Sequence, residues 1–320
     1  MPTSIGRRKF LAAFGGAAAA WPLAARAQQP VRSIGWLGTE GERDTSAFRL
    51  GLQDSGYTAS RFVPILSLRH DRSALADDLI RIQVAVIVAA GEDAPLAAKA
   101  ATTTIPIVFY TERDPIKLGL VSSLDRPGGN LTGVSSLGPP AAGKQLQLLH
   151  EFVPSSDTIA YLTDPANPNA ASDTKEAQTA AGMLGLRVHV LNASVASDIA
   201  AAFAILFQEP AGALLVARYP IFAANVERIA RMALNQGVPA MISSREFVTW
   251  SGLISYGPSN SEWGRQAGAS AGRILRGQNP GDLPVVASTK FELAINLTTA
   301  TALGLTLPPN VLAAADELVK

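Results

Sequence analysis

Cysteine is missing from all 320 residues. That excludes disulfides, thiolate metal sites and a cysteine nucleophile. Histidine is scarce: His70, His150 and His189 lie far apart and share no ligand spacing, which argues against zinc. Net charge is close to zero, at +1, so nothing in the charge balance points to nucleic acid or another polyanion. Charged residues make up only 17% of the chain, whereas hydrophobic residues reach 48%, enough for a soluble, well-cored protein of two domains.

Long apolar runs are lacking too. The N-terminal one, residues 10–23, is rich in Gly and Ala and falls short of the ~20 residues a membrane span needs. Arg7 and Arg8 precede it, and Ala25-Arg26-Ala27 closes it. Basic, apolar and small-residue regions in that order make an export signal. The paired arginines, followed by Phe10 and Leu11, resemble the twin-arginine type. Residues 1–27 are therefore expected to be a cleaved export signal. With no cysteine beyond it to carry a lipid, the mature chain is expected to be a periplasmic monomer without stable membrane insertion.

Two neighbouring stretches organise the rest: residues 84–95 (VAVIVAAGEDAP) and 105–115 (IPIVFYTERDP). Each begins as an unbroken apolar run of strand length and stops in charged, turn-forming residues. Such runs suit strands covered on both faces, as in a parallel sheet, and the Ala-rich segment 94–104 between them fits a crossover helix. Ligands in open α/β sheets sit beyond the carboxyl ends of the strands. Glu92, Asp93, Thr111, Glu112, Arg113 and Asp114 stand there.

The pattern recurs along the chain. Strands are expected at 33–37, 62–68 and 130–136, with helices at 45–55 and 73–82 and a short apolar segment at 118–124. After Gly138-Pro139-Pro140 the plan repeats. Helices are expected at 141–152, 170–184, 197–207 and 222–234, and strands at 158–162, 187–191, 213–216, 239–242 and 253–256. A long helix over 261–275 and a strand over 290–296 follow. This predicts an α/β protein of two doubly wound parallel-sheet lobes joined by a multi-strand hinge. The first lobe would hold 31–136 plus roughly 257–285, and the second 137–256 plus roughly 286–320.

Two motifs point elsewhere. Gly35, Gly38 and Gly41 follow a strand, but their spacing is G-x-x-G-x-x-G, and the next strand ends in Arg69 and His70 rather than a ribose-binding acid, so no dinucleotide or other cofactor is expected. Gly268-Ala269-Ser270-Ala271-Gly272 matches the hydrolase elbow G-x-S-x-G. The elbow needs a strand and a sharp turn at Ser, whereas this stretch reads as continuous helix. No catalytic residue is assigned and the chain is read as a non-enzyme; an exported serine hydrolase using Ser270 is the alternative.

The order GLxxxGY (51–57), TIPIVF (104–109), DP (114–115), RPGGNLTG (126–133), GK (143–144), PANP (165–168), REF (245–247), ISYGP (254–258), LP (283–284), TKFELAIN (289–296) and ALGLTLPP (302–309) resembles the ABC-transporter substrate-binding family that includes tryptophan-binding proteins. The resemblance covers essentially the whole mature chain. It implies a type I periplasmic-binding-protein fold with a three-strand hinge and a cleft that closes on a small solute. It also implies an inner-membrane ABC permease and ATPase as partners; a sensory receptor of the same fold is the alternative. The chain departs from the family where Glu92 and Asp93 replace small or hydroxyl residues, where Arg113 precedes Asp114, and where Arg218-Tyr219-Pro220 stands for Asp-Pro. The pocket is accordingly expected to differ from that of common members.

Recognition of a small polar solute needs polar groups from both lobes aimed at one crevice. The first-lobe candidates are Thr39, Glu40, Gly91, Glu92, Thr111 and Asp114; those of the second are Asp164, Asn167, Tyr219, Arg245 and Glu246. Arg218 and Arg245 suit a carboxylate and Glu92 an amino group. Tyr110, Tyr219 and Phe247 are near enough to these tips to stack on an aromatic ligand, with core packing the favoured role for Phe247. The expected solute is an amino acid or another small carboxylate.

Overall fold

The computed structural model describes residues 32–38, 45–57, 60–66, 72–91, 93–136 and 141–320. The export signal and the candidates Thr39, Glu40 and Glu92 lie outside the described residues. The first part of the chain forms β1 (Arg32–Gly38), α1 (Thr45–Asp54), β2 (Ser60–Leu66), α2 (Arg72–Arg81), β3 (Val86–Ala90), α3 (Ala94–Ala101), β4 (Ile107–Thr111) and β5 (Leu131–Ser135). The middle forms α4 (Ala141–Phe152), β6 (Thr158–Thr163), α5 (Ala170–Met183), β7 (Arg187–Asn192), α6 (Ala196–Gln208), β8 (Ala213–Val216), α7 (Pro220–Ala223), α8 (Val226–Asn235), β9 (Ala240–Ile242), α9 (Glu246–Thr249) and β10 (Ile254–Pro258). The last part forms α10 (Asn260–Leu275), a 3-10 turn (Pro280–Asp282), β11 (Val286–Ala287), β12 (Phe291–Asn296), α11 (Leu297–Ala302), α12 (Pro309–Ala314) and β13 (Glu317–Val319).

These strands make two sheets, β11-β5-β4-β3-β1-β2 and β13-β12-β10-β9-β8-β6-β7. Strands β3, β4 and β5 are buried along their whole length. Alternate side chains serve opposite faces, as the two-residue period of a strand requires. Trp36, Val86, Val88, Val108 and Tyr110 enter one layer of core. Leu37, Ile87, Ala89, Ile107 and Phe109 enter the other. Hydrophobic runs without alternating polarity are the sequence mark of this two-sided burial. The first sheet is parallel throughout. The second is parallel except where β12 runs antiparallel to β10.

Both sheets share one plan. Counted from its own first strand, each has the order 2-1-3-4-5, so each has a switch point between its first and third strands, where the following segments diverge and leave a crevice. Among the described elements the chain passes between sheets three times: between β5 and α4, between β10 and α10, and between β11 and β12. These passages lie side by side. Ser288 N–H donates to Ser135 O at 2.8 Å, and Ser259 N–H donates to Lys290 O at 2.9 Å. Adjacent linking segments of this kind are the form a hinge between two packed sheets takes.

Helix α10 returns to the first lobe and seals one face of its sheet. Ser259 caps it, accepting from Glu262 N–H at 3.2 Å. Its Trp263 is fully buried, stacked on Tyr110 at 4.5 Å and tilted against Trp36 at 5.7 Å. Its glycines press against α1: a Cβ on Gly268 would fall 2.1 Å from Phe48 O, and one on Gly51 would fall 1.9 Å from Arg265 O. Ser270 lies in the middle of this helix and is 6% exposed. The strand-then-turn geometry of a hydrolase elbow is absent from it, and the small residues serve helix contact instead.

Some expected bounds shift for local reasons. The helix expected at 222–234 is two helices, α7 and α8, because Asn225 leaves helical geometry and its Nδ2 donates to Ile221 O at 2.8 Å. Helix α3 stops at Ala101, where Thr102 becomes extended and its Oγ1 accepts from Thr104 and Ile105 N–H at 3.2 and 3.1 Å. The apolar segment 118–124 forms turns and bends.

Candidate functional site

A ligand is expected beyond the carboxyl ends of both sheets. On the first lobe, β4 ends at Thr111, and Glu112 and Arg113 extend past the edge of the sheet. Thr111 is 1% exposed, and its Oγ1 accepts from Arg113 N–H at 3.1 Å. This bends the chain so that consecutive charged residues are presented together. The Tyr110 hydroxyl, carried on the ring that stacks against Trp263, donates to Glu112 Oε1 at 3.0 Å.

On the second lobe the switch point falls between β6, ending at Thr163, and β8, ending at Val216. Arg218 and Tyr219 follow β8. Asp173 stands in the first turn of α5, where the helix dipole favours a negative charge. The Tyr219 side chain is almost wholly buried, and its hydroxyl donates to Asp173 Oδ2 at 2.7 Å.

Two ion pairs span the gap. Glu112 of the first lobe meets Arg218 of the second. Arg113 of the first meets Asp173 of the second, Nη2 to Oδ2, at 3.8 Å. All four side chains are between 30% and 35% exposed, so solvent reaches each pair.

The surroundings of Asp173 are electrostatically distinctive. Burial, followed by the hydrogen bond to Asp173 and its charge, pushes the Tyr219 phenol far above its ordinary value. Burial raises the Tyr161 phenol as well, helped by the charges of Asp173 and Glu176. Glu176 is exposed as a residue, yet partial desolvation of its carboxyl raises its pKa, and the Asp173 charge adds to the effect. Both phenols therefore stay protonated and act as donors beside an acidic pair.

Each described candidate from the sequence has a definite place. Thr111 and Tyr219 stand at the gap, next to the ion-paired residues. Gly91 follows β3 with φ +104°, a conformation that suits glycine, and its N–H donates to Tyr110 O at 3.2 Å. Asp114 accepts from Ile116 and Lys117 N–H at 2.9 and 3.2 Å and so caps the turn after β4. Asp164 Oδ1 accepts from Ala166 N–H at 2.9 Å and from the Ser194 hydroxyl at 2.5 Å. Asn167 Oδ1 accepts from Asn169 N–H at 2.9 Å. Arg245 is held by Glu317 within the second lobe, with Nε to Oε2 at 2.5 Å. Glu246 begins α9 and is exposed.

Sequence reasoning missed Asp173, Glu176, Tyr161 and Thr163 as members of this constellation. Searching the tips of strands passed over the first turn of the helix that follows, where Asp173 sits. Among the described residues no group of three His, Asp or Glu side chains is arranged to hold a metal ion. No described helix is long and apolar enough to cross a membrane.

Known proteins share this architecture. A family model described as ABC transporter substrate binding protein matches residues 43–319. A tyrosine-binding protein of Clostridioides difficile (strain R20291) is 25% identical over 273 residues, covering 82% of this chain and 76% of the relative. The crystal structure of a conserved domain protein from Vibrio cholerae superposes with a TM-score of 0.76 at 25% identity, over 90% of this chain and 99% of the other. The structure of an ABC domain in complex with L-Trp from Streptococcus pneumonia superposes with a TM-score of 0.74 at 23% identity, over 90% of this chain and all of the other.

Proposed function

This chain belongs to the ABC transporter substrate binding protein family, and on that premise we propose that it is the extracytoplasmic solute receptor of an ABC importer. Its fold is that of a type I periplasmic binding protein. The solute on this reading is an amino acid with an aromatic side chain. The observation that carries it is the meeting of both signs of charge in one gap. Arg218 suits a carboxylate, while Asp173, set by the Tyr219 hydroxyl, suits an ammonium. The tyrosine-binding relative supports the same class.

In this proposal the receptor lobes are 31–136 with about 257–285, and 137–256 with about 286–320. Thr111 and Tyr219 line the ligand gap together with Gly91, and Thr39, Glu40 and Glu92 are kept as ligand contacts on the sequence reading alone. Asp114, Asp164 and Asn167 shape its edges through their turn bonds. Arg245 and Glu246 form the outer second-lobe rim. A twin-arginine signal ending near Ala27 delivers the chain as a periplasmic monomer to a permease and ATPase. The ligand closes the lobes by binding the closed form more tightly than the open one.

A thermal-shift screen of the purified protein against amino acids, aromatic acids and small carboxylates tests the reading. L-tyrosine or L-tryptophan should raise the melting temperature with concentration, because a ligand of the folded state stabilises it by mass action. A broad panel in which no amino acid produces a shift would remove the proposal.

A further inference from the structure

Glu112 and Arg113 are consecutive and opposite in charge. They face Arg218 and Asp173, which carry the reverse charges on the other lobe. A free amino acid also presents a carboxylate and a cation a short distance apart. We propose that Glu112-Arg113 is a built-in mimic of the ligand's zwitterion, occupying the second-lobe subsite where Arg218 receives the carboxylate and Asp173 the ammonium. The inference rests on the amino-acid reading above and names the residues that read the ligand's charged end.

The two sides of the gap are built differently, in the way a receptor and its competitor would be. Asp173 is prepared from within its own lobe. Tyr219, 2% exposed, donates to it at 2.7 Å, and Tyr161 and Glu176 stand close enough for their ionisation to feel its charge. Thr163 Oγ1 lies buried beside the Tyr219 hydroxyl without a hydrogen bond of good geometry. Glu112, by contrast, is held from behind by Tyr110 and projects past the end of β4.

The mimic is also weak enough to leave. Pairs a third exposed are screened by solvent and contribute little, and Arg113 meets Asp173 only at 3.8 Å. A ligand that must displace it binds with an apparent affinity reduced by the fraction of time the subsite is self-occupied. The two partners of each pair should therefore affect ligand binding with opposite sign. A simple closing latch would lose affinity whichever partner was removed.

The test is isothermal titration of the purified protein with L-tyrosine and with L-tryptophan. The probes are applied to the wild type, the double variant Glu112→Gln/Arg113→Gln, and the single variants Arg218→Gln and Asp173→Asn, each first shown to unfold cooperatively. The double variant should bind roughly 5-fold more tightly, since each exposed pair it removes opposes binding only modestly. Arg218→Gln and Asp173→Asn should each weaken binding by about 10-fold or more, as expected for lost charged hydrogen bonds. A wild type that binds while the double variant binds equally or less tightly overturns the mimic and leaves the amino-acid reading standing. If neither wild type nor double variant binds either probe, the amino-acid reading falls and the mimic with it. Binding by the double variant alone would support the mimic in its strongest form.

Discussion

The seam between α1 and α10 and the rim between the lobes are both contacts between chain segments far apart in sequence, yet they are made of opposite materials. At the seam, glycines bring two helix backbones together, and Trp36, Phe48 and Trp263 fill the space beside them, each at most 1% exposed. At the rim, four charged side chains meet with a third of their surface in solvent. Buried apolar surface contributes about 25 cal/mol per Å², whereas an exposed ion pair contributes at most about 1 kcal/mol. The seam is thus permanent and the rim separable. Helix α10 must stay docked, although the chain reaches it only after leaving the second lobe, whereas on the proposed receptor function the lobes must part to exchange a solute.

The largest effect that would sharpen this contrast lies at the seam. Gly268→Ala places a Cβ against Phe48 O, and Gly51→Ala places one against Arg265 O, so backbone has to move. Each should cost about 3 kcal/mol in denaturant unfolding; a loss below about 0.5 kcal/mol would show the helices to be loosely docked. Next comes Asn296, a fixed point of the second lobe. Its Oδ1 accepts from Thr299 N–H at 2.8 Å, and its Nδ2 donates to Val248 O at 2.8 Å, tying α11 to α9 while 6% exposed. Asn296→Ala should cost about 2 kcal/mol, because it strands a buried carbonyl and opens a helix cap.

The rim should respond far less. A double-mutant cycle on Glu112 and Arg218 should give a coupling below about 1 kcal/mol that shrinks further in 0.5 M salt, as solvent-reached pairs do (about 0.5 M being well above physiological strength). A coupling as large as a buried pair's would make the rim a permanent contact and erase the comparison. The smallest effect concerns Glu176. Its pKa is raised in the fold, so the folded state holds this proton more tightly than the unfolded chain does. Stability from this group is present at low pH and is lost as pH rises from the ordinary glutamate value through the raised one. Glu176→Gln should therefore melt slightly above the wild type at neutral pH, and the two should converge in acid, where the wild-type carboxyl is protonated; the pH series of melting temperatures reads this directly.

Much of the fold was legible because two-sided burial leaves a plain mark. The runs that became β3 and β4 are apolar without alternation, and only a covered parallel strand needs that. The assignment of 261–275 to the first lobe comes from the order of elements, two α/β halves followed by a further strand–helix–strand, and α10 packs on α1 through its small residues. Shorter elements were not legible. Strand β11 has two residues and β13 three, and their pairing comes from the neighbouring sheet rather than from their own sequence. The site was less legible still. An Asp or Asn after a strand reads as a ligand group, but Asp114, Asp164 and Asn167 each accept backbone N–H bonds in their own turns. Asp173 carries no such flag, because in sequence it is one polar residue of a helix. Only the folded position of Tyr219, 46 residues further along, marks it as part of the gap.

Hydrogen exchange with and without L-tyrosine tests most directly whether the two rims enclose the solute. Slowed exchange in both 110–114 and 163–173, with 217–219 following, is the predicted result, because a ligand held between the lobes must protect both edges at once. Protection confined to one lobe, or to segments away from these rims while the amino acid is bound, would contradict it.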